Sequence, residues 1–224
     1  MTYLKGRLKA VFDLIKDGAF VVDIGTDHAF LPIALHLSKK AKRVIACDIK
    51  EKPLNSARKN LDKAGCTLVE TRLCNGLSGI KQGEADTIVV AGMGGEVISE
   101  ILFSCEYIKD SNLSLILQPM TSAGFLRERL YGEGFCIEKE VAVKENGKVY
   151  SVISAKFCGQ VKQISPKEYF VGKIEKGSEF SHDYFKKQLL IIDGCLISFK
   201  RTNKQDEYDF YSTAKKEILK LLED

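Results

Sequence analysis

Two periodicities alternate along the chain. Leu4, Leu8, Val11, Phe12 and Ile15 recur at three- and four-residue spacing, which predicts an opening amphipathic helix that stops at Gly18. Short apolar runs follow at 20–24, 44–47, 67–72, 87–91 and 113–117, with stretches of helical spacing between them. Pro32 and Pro53 stand near the first turns of two of those helices, and Gly65 closes one. Val21-Val22 and Ile88-Val89-Val90 are near-continuous apolar runs, as expected of parallel strands covered on both faces. A last helix over 123–133 precedes two β-rich runs, 136–143 and 148–157, separated by Lys144-Glu145-Asn146-Gly147. Both central positions of a type I′ turn need positive φ, so Asn146-Gly147 predicts an antiparallel hairpin.

Beyond residue 157 the pattern changes. Residues 159–177 read as a mixed connector, and 183–200 and 205–223 as two helices joined near Arg201-Thr202-Asn203. So short a join packs them antiparallel, as a helical hairpin or short coiled coil. The expected fold class is α/β. Its alternating half, ending in an antiparallel hairpin, resembles the Rossmann-like, mostly parallel sheet of class I methyltransferases, a likeness of architecture that does not fix function. Two domains follow from this reading: 1–158, which would bind adenosylmethionine, and 159–224, the coiled-coil-like C-terminal hairpin.

Composition narrows the class. Of 224 residues, 45% are hydrophobic and 29% charged, enough apolar matter for a core and too much for a disordered chain. No apolar run approaches the roughly 20 residues of a membrane span. The start, Met1-Thr2-Tyr3-Leu4-Lys5-Gly6-Arg7, lacks the charged-then-apolar order of a signal peptide. The expectation is a soluble cytoplasmic protein with no membrane partner. Seven cysteines, at 47, 66, 74, 105, 136, 158 and 195, are never closer than eight residues, which excludes CxxC and zinc-ligand spacing. With His28, His36 and His182 dispersed, no metal is expected. The cysteines are expected as reduced thiols, Cys47, Cys136 and Cys158 serving as small buried hydrophobes. A net charge of +4 permits a nucleic-acid partner without requiring one. The run Lys39-Lys40-Ala41-Lys42-Arg43 reads as a solvated face closing a helix and opening a strand. Nothing in the sequence sets the oligomeric state.

Candidate chemistry gathers where strands end. Asp23 and Gly25 close the first strand, at the edge where open α/β sheets bind ligands. The later glycines of a GxGxxG fingerprint are missing, since positions 27 and 30 are Asp27 and Phe30. That disfavours a pyrophosphate cradle, and NAD with it; S-adenosyl-L-methionine carries no phosphate and needs none. Asp48, at the end of the second strand, is placed to accept both ribose hydroxyls, or else caps a helix. Asn75-Gly76 suits an adenine contact or a plain turn. The stretch from Ala85 to Glu96 runs a buried strand into Ala91-Gly92-Met93-Gly94-Gly95, whose missing side chains leave room for a flat group. Asn-Pro-Pro-Tyr and Asp-Pro-Pro-Tyr motifs, which grip exocyclic amines, are absent.

Asp23-Ile24-Gly25-Thr26-Asp27-His28-Ala29-Phe30-Leu31-Pro32, then Ala91-Gly92-Met93-Gly94-Gly95, then Leu117-Gln118-Pro119 resemble the bacterial TrmK family of tRNA (adenine-22 N1)-methyltransferases. The likeness extends to the Arg7 segment, the Glu145–Tyr150 turn and the helical hairpin, and so spans essentially the whole chain. It implies an S-adenosyl-L-methionine site built from Asp23, Gly25, Thr26, Asp48, Ile49, Asn75, Gly76, Ala91, Gly92, Met93 and Gly94. It implies Arg7, Gln118 and Pro119 as substrate contacts, Asp27 and His28 as the catalytic pair, and tRNA as partner. His28 alternatively serves as a structural hydrogen-bonding residue. Met120 stands where family members often carry Asn, and Asn75 where they often carry an acid. The fold also accommodates a small-molecule or protein methyltransferase, or a non-catalytic RNA- or protein-binding module.

Overall fold

Burial on both faces lays the apolar runs side by side. In the computed structural model, which describes residues 4–223, they form β1 (Ala19–Ile24), β2 (Ala41–Asp48), β3 (Val69–Leu73), β4 (Thr87–Gly94) and β5 (Ser114–Thr121). Residues 1–3 of the leader reading lie outside the described residues. These five strands pair in parallel, and β6 (Phe135–Glu145) and β7 (Lys148–Phe157) add antiparallel, in the order β3-β2-β1-β4-β5-β7-β6. Successive residues point to opposite faces. Val22, Ile45, Ile88 and Leu115 join one core with α4 (Gly95–Phe103) and α5 (Ala123–Gly132). Val21, Val44, Val89 and Ile116 join another with α1 (Gly6–Leu14), α2 (Phe30–Leu37) and α3 (Glu51–Lys63).

Strand order reverses between β1 and β4. The chain moves outward from β1 to β2 and β3, then returns to pair β4 on the other side of β1, Ile24 opposite Val90. The loops leaving β1 and β4 therefore diverge and open a crevice at their carboxyl ends. Two boundaries differ from expectation there. Strand β4 continues through the glycine-rich stretch to Gly94, and β5 continues through Gln118 to Thr121, because the two strands keep pairing past two register slips.

The hairpin turn has positive φ at Asn146 (49°) and Gly147 (76°), as the sequence predicts. The cysteine expectation needs correction at the base of the same hairpin. Cys136 and Cys158 form a disulfide, and the other five cysteines are free. Strand register is the reason: Phe135 lies opposite Phe157 and Cys136 opposite Lys156, which brings Cys158 to a Cα–Cα distance of 5.9 Å from Cys136. Linear spacing carries no trace of that proximity. The basic run 39–43 is partly engaged, Lys40 with Asp17 at 2.9 Å and Arg43 with Glu70 at 3.0 Å.

The connector contains one further helix, α6 (Pro166–Val171), capped by a reciprocal Ser165–Glu168 box. It leads into α7 (Ser181–Thr202) and α8 (Gln205–Leu222), the expected antiparallel pair. These helices share a third core with the hairpin, in which Ala142 and Val149 pack among Phe170, Tyr184, Phe185 and Ile192. Arg127 of α5 is fully buried where the parts meet. Its guanidinium donates to Glu140 at 2.6 Å, to the Tyr169 carbonyl at 2.6 Å and to the Tyr184 hydroxyl at 2.8 Å. Nearly every guanidinium donor direction is thus used, which is what makes a buried charge tolerable. Arg127→Leu strands the Glu140 carboxylate in the interior and is expected to cost about 3–5 kcal/mol. Urea denaturation followed by circular dichroism measures it, and a loss below about 1 kcal/mol, the range of exposed pairs, contradicts the assignment.

Candidate functional site

The crevice holds a cavity of about 590 Å³ at the carboxyl ends of β1 to β4. Of the sequence-predicted cofactor residues, it brings together Gly25, Asp48, Ile49, Asn75, Gly76 and Met93. Gly25 has φ of 76°, which favours glycine, and a Cβ there would displace the Met93 methyl that lies against the turn. The Gly25 and Thr26 amides donate to the Cys47 carbonyl at 2.8 and 2.9 Å, which pins the turn to β2. One Asp48 carboxylate oxygen accepts the Lys50 amide at 2.9 Å and fixes the side chain against the start of α3. Asp48 still lines the cavity, so its capping contact and a role toward a ligand coexist.

Sequence reasoning missed one wall. Val97, Glu100, Ile101 and Ser104 line the cavity from α4 and the residue just beyond it, at three- and four-residue spacing that reads equally as an ordinary amphipathic face. Cys74 and Ser78 complete the side next to Asn75. The cavity thus offers a carboxylate, an exposed amide and a slot of aliphatic and thioether groups. That donor set fits a nucleoside, with ribose hydroxyls on the carboxylate and a purine between apolar walls.

Asp23 and Thr26 lie beneath the turn. Asp23 is 5% exposed, and burial, reinforced by the Asp48 charge, pushes its carboxyl up from 3.8 to about 6. The buried Thr26 hydroxyl makes no hydrogen bond of normal geometry, yet it lies near enough to the Asp23 carboxyl to offset part of that rise. An acid and a hydroxyl buried here fit a cationic, hydrogen-bonding ligand group above Gly25.

Asp27 and His28 are exposed on the β1–α2 loop, His28 Nε2 standing 3.6 Å from an Asp27 oxygen. Asp27 (φ 47°) and Ala29 (φ 56°) both occupy the left-handed region, an uncommon density of backbone strain. The loop is tied down by Asn60, whose amide donates to the His28 carbonyl at 3.0 Å. Phe30, not expected as a site residue, is exposed and stacks on His28 with ring centroids 5.4 Å apart.

Ala91, Gly92 and Gly94 do not line the cavity; they lie along the β4–β5 seam. There the Gln118 side-chain oxygen Oε1 accepts the Gly92 amide at 3.2 Å and an Arg7 guanidinium N–H at 2.8 Å. Arg7 also pairs with Glu145, touches the Met120 sulfur at 2.9 Å and lies 5.3 Å from the Tyr150 ring centroid. Gln118 and Pro119 are buried, and the Gln118 amide nitrogen donates to the Pro119 carbonyl at 2.8 Å. In this geometry Gln118 is a strut that holds the glycine segment against α1.

This chain is similar to known methyltransferases in sequence and in fold. A family profile described as a methyltransferase domain matches residues 4–153. The tRNA (adenine(22)-N(1))-methyltransferase of Bacillus subtilis (strain 168) is 41% identical over 153 residues, which span 68% of this chain and 64% of that protein. The crystal structure of the B. subtilis m1A22 tRNA methyltransferase TrmK superposes with a TM-score of 0.85 at 30% identity, covering 100% of both chains. A Streptococcus pneumoniae structure in complex with S-adenosyl-L-methionine gives a TM-score of 0.80 at 30% identity, covering 93% of this chain and 98% of its own.

The buried Asp23 yields a stability prediction. The folded state holds its proton more tightly than the unfolded chain, so ionisation opposes folding. Its cost is absent below about pH 4, grows as pH rises toward 6 and is complete above that. Asp23→Asn is therefore expected to match the parent near pH 4 and to gain up to about 3 kcal/mol on it above pH 6. Denaturant titrations at pH 4.5, 5.5, 6.5 and 7.5 check this; a gap that does not widen with pH contradicts it.

Proposed function

We propose that this chain, which belongs to the TrmK family of tRNA (adenine-22 N1)-methyltransferases, transfers the methyl group of S-adenosyl-L-methionine to N1 of an adenine in tRNA, position 22 being the one implied by the family. The observation that carries the reading is the nucleoside-shaped cavity at the β1–β4 reversal, walled by Asp48, Asn75 and Met93. Asp48 would accept the ribose hydroxyls, Ile49, Val97 and Ile101 would flank the purine, and the Asp23–Thr26 turn would face the cationic end. When bound, the donor supplies an activated methyl on a sulfonium, and its positive charge passes to the adenine as the carbon–sulfur bond breaks.

Adenine N1 has an available lone pair, so no residue has to deprotonate it before attack. The residues have to hold N1 in line with the methyl and keep water out, which is catalysis by positioning. N1 is on the pairing edge, so the adenine must be unpaired or extruded to reach it. The His28–Phe30 stack would offer that base an aromatic face beside the turn, and the Asp27 carboxylate, 3.6 Å from His28, would balance the charge the base acquires. The Arg7–Gln118–Gly92 strut would set the height of the glycine segment over which the base slides. A tRNA substrate would suit an enzyme of the cytoplasm. Among the described residues no helix is long and apolar enough to cross a membrane. The C-terminal domain, 159–224, would extend the contact with folded RNA through Lys186, Lys187, Lys200, Arg201 and Lys204.

Incubation with unmodified tRNA and labelled donor, followed by mapping of the modified nucleotide, tests the assignment; methylation elsewhere than adenine N1 refutes it. Asp48→Ala is expected to weaken donor binding by about 1.5–3 kcal/mol, the range for a lost charge-assisted hydrogen bond. Calorimetric titration reads it, and unchanged affinity removes Asp48 from the site. Asp27→Ala and His28→Ala are expected to slow single-turnover transfer at saturating donor while leaving donor affinity near that of the parent. Parental rates in both would leave positioning by the remaining residues as the whole mechanism.

A further inference from the structure

A second concavity, of about 320 Å³, opens between the carboxyl end of β5, the edge of β7 and the C-terminal helices. Met120, Tyr150, Tyr169, Lys187 and Ile191 are among its lining residues. It runs into a broader depression that shares Met120, Tyr150 and Lys187 and adds Lys148, Lys186 and Leu190. Neither shares a lining residue with the donor cavity.

The chemistry of this cleft is aromatic, aliphatic and cationic at once. Tyr150 has the Arg7 guanidinium 5.3 Å and the Lys187 ammonium 5.2 Å from its ring centroid. Beside it, α7 presents Leu190 at 76% and Ile191 at 44% exposure, apolar surface left to water next to charge. The nearby acids are already matched, Asp183 by Lys144 at 2.7 Å and Glu145 by Arg7. Lys148 and Lys186 make no ion pair among the described residues and leave an uncompensated positive rim. Flat apolar surface under such a rim matches a nucleobase carried on phosphates, the combination by which proteins hold single-stranded nucleic acid.

We propose that this cleft holds an unpaired nucleotide of the RNA substrate other than the one methylated, its base against Tyr150 and Ile191 and its phosphates toward Lys148 and Lys186. The proposal rests on the tRNA reading above and deepens it: the substrate is recognised by its folded shape through two separated nucleotides. The reacting adenine goes to the donor cavity, and the second nucleotide anchors the RNA at a cleft that shares no lining residue with that cavity.

Ile191→Asp and Lys148→Glu place negative charge in the cleft without touching the core. Each is expected to raise KM for an unmodified tRNA transcript about tenfold or more, with kcat at saturating tRNA, donor affinity and melting temperature near parental values. Lys148→Glu also flattens the salt dependence of tRNA binding by about one unit of slope or more. Ile197→Asp, an exposed apolar position on α7 outside the cleft, is expected to change none of these. Parental KM in both cleft variants, while the parent methylates tRNA, overturns the proposal. So does an equal loss in Ile197→Asp, which attributes the effect to α7 as a whole and not to the cleft. A parent that binds donor but methylates no tRNA overturns the tRNA reading and this proposal together.

Discussion

Strand order reverses once, between β1 and β4, and that reversal governs where everything else can stand. Parallel pairing of Ile24 with Val90 aligns the carboxyl ends of two strands whose following segments leave in opposite directions. The gap between those segments cannot be filled by either without breaking the pairing. Gly25 deepens it because the turn has no side chain, and Met93 and α4 supply its far wall. Asp48 arrives from the neighbouring strand in the same register, so a carboxylate stands at one edge without a dedicated loop to carry it. The ligand site is therefore a by-product of sheet topology, and only a few side chains specialise it.

The C-terminal helices are attached by a different kind of force. A shared apolar core would let them slide, because apolar contact has little directional preference. Arg127 removes that freedom by donating at once to Glu140 on β6, to the backbone of α6 and to Tyr184 on α7. Each of those directions is specified, so the appended helices meet the hairpin in one orientation. The cleft beside Tyr150 inherits its shape from that orientation, since β5, β7, α6 and α7 all contribute to its walls.

Much of this was legible in the sequence, for identifiable reasons. Double-sided burial makes Ile88-Val89-Val90 unmistakable, and Asn146-Gly147 permits almost nothing but a hairpin turn. Asp48 and Asn75 were legible as cavity-lining positions because the strand ends of such sheets border the crevice. Val97, Glu100, Ile101 and Ser104 were not, because a helix face toward a cavity has the same period as one toward a core. Arg127 and Glu140 read as ordinary charges among many, since burial of an ion is decided by elements distant in sequence. The Cys136–Cys158 bond was hidden for a related reason, as only the hairpin register reveals it. The helix α6 did leave a signal, Ser165-Pro166-Lys167-Glu168, a capping box with proline at its first turn.

The Arg7 strut has a consequence for synthesis. Arg7 lies on α1, yet its partners Gln118, Met120, Glu145 and Tyr150 are all made more than a hundred residues later. During most of translation, α1 has no sheet edge to dock against and the glycine segment has nothing to hold its height. At roughly 5–20 residues per second, that interval is on the order of ten seconds. The nascent chain is thus unable to assemble this strut until the β6–β7 hairpin has emerged.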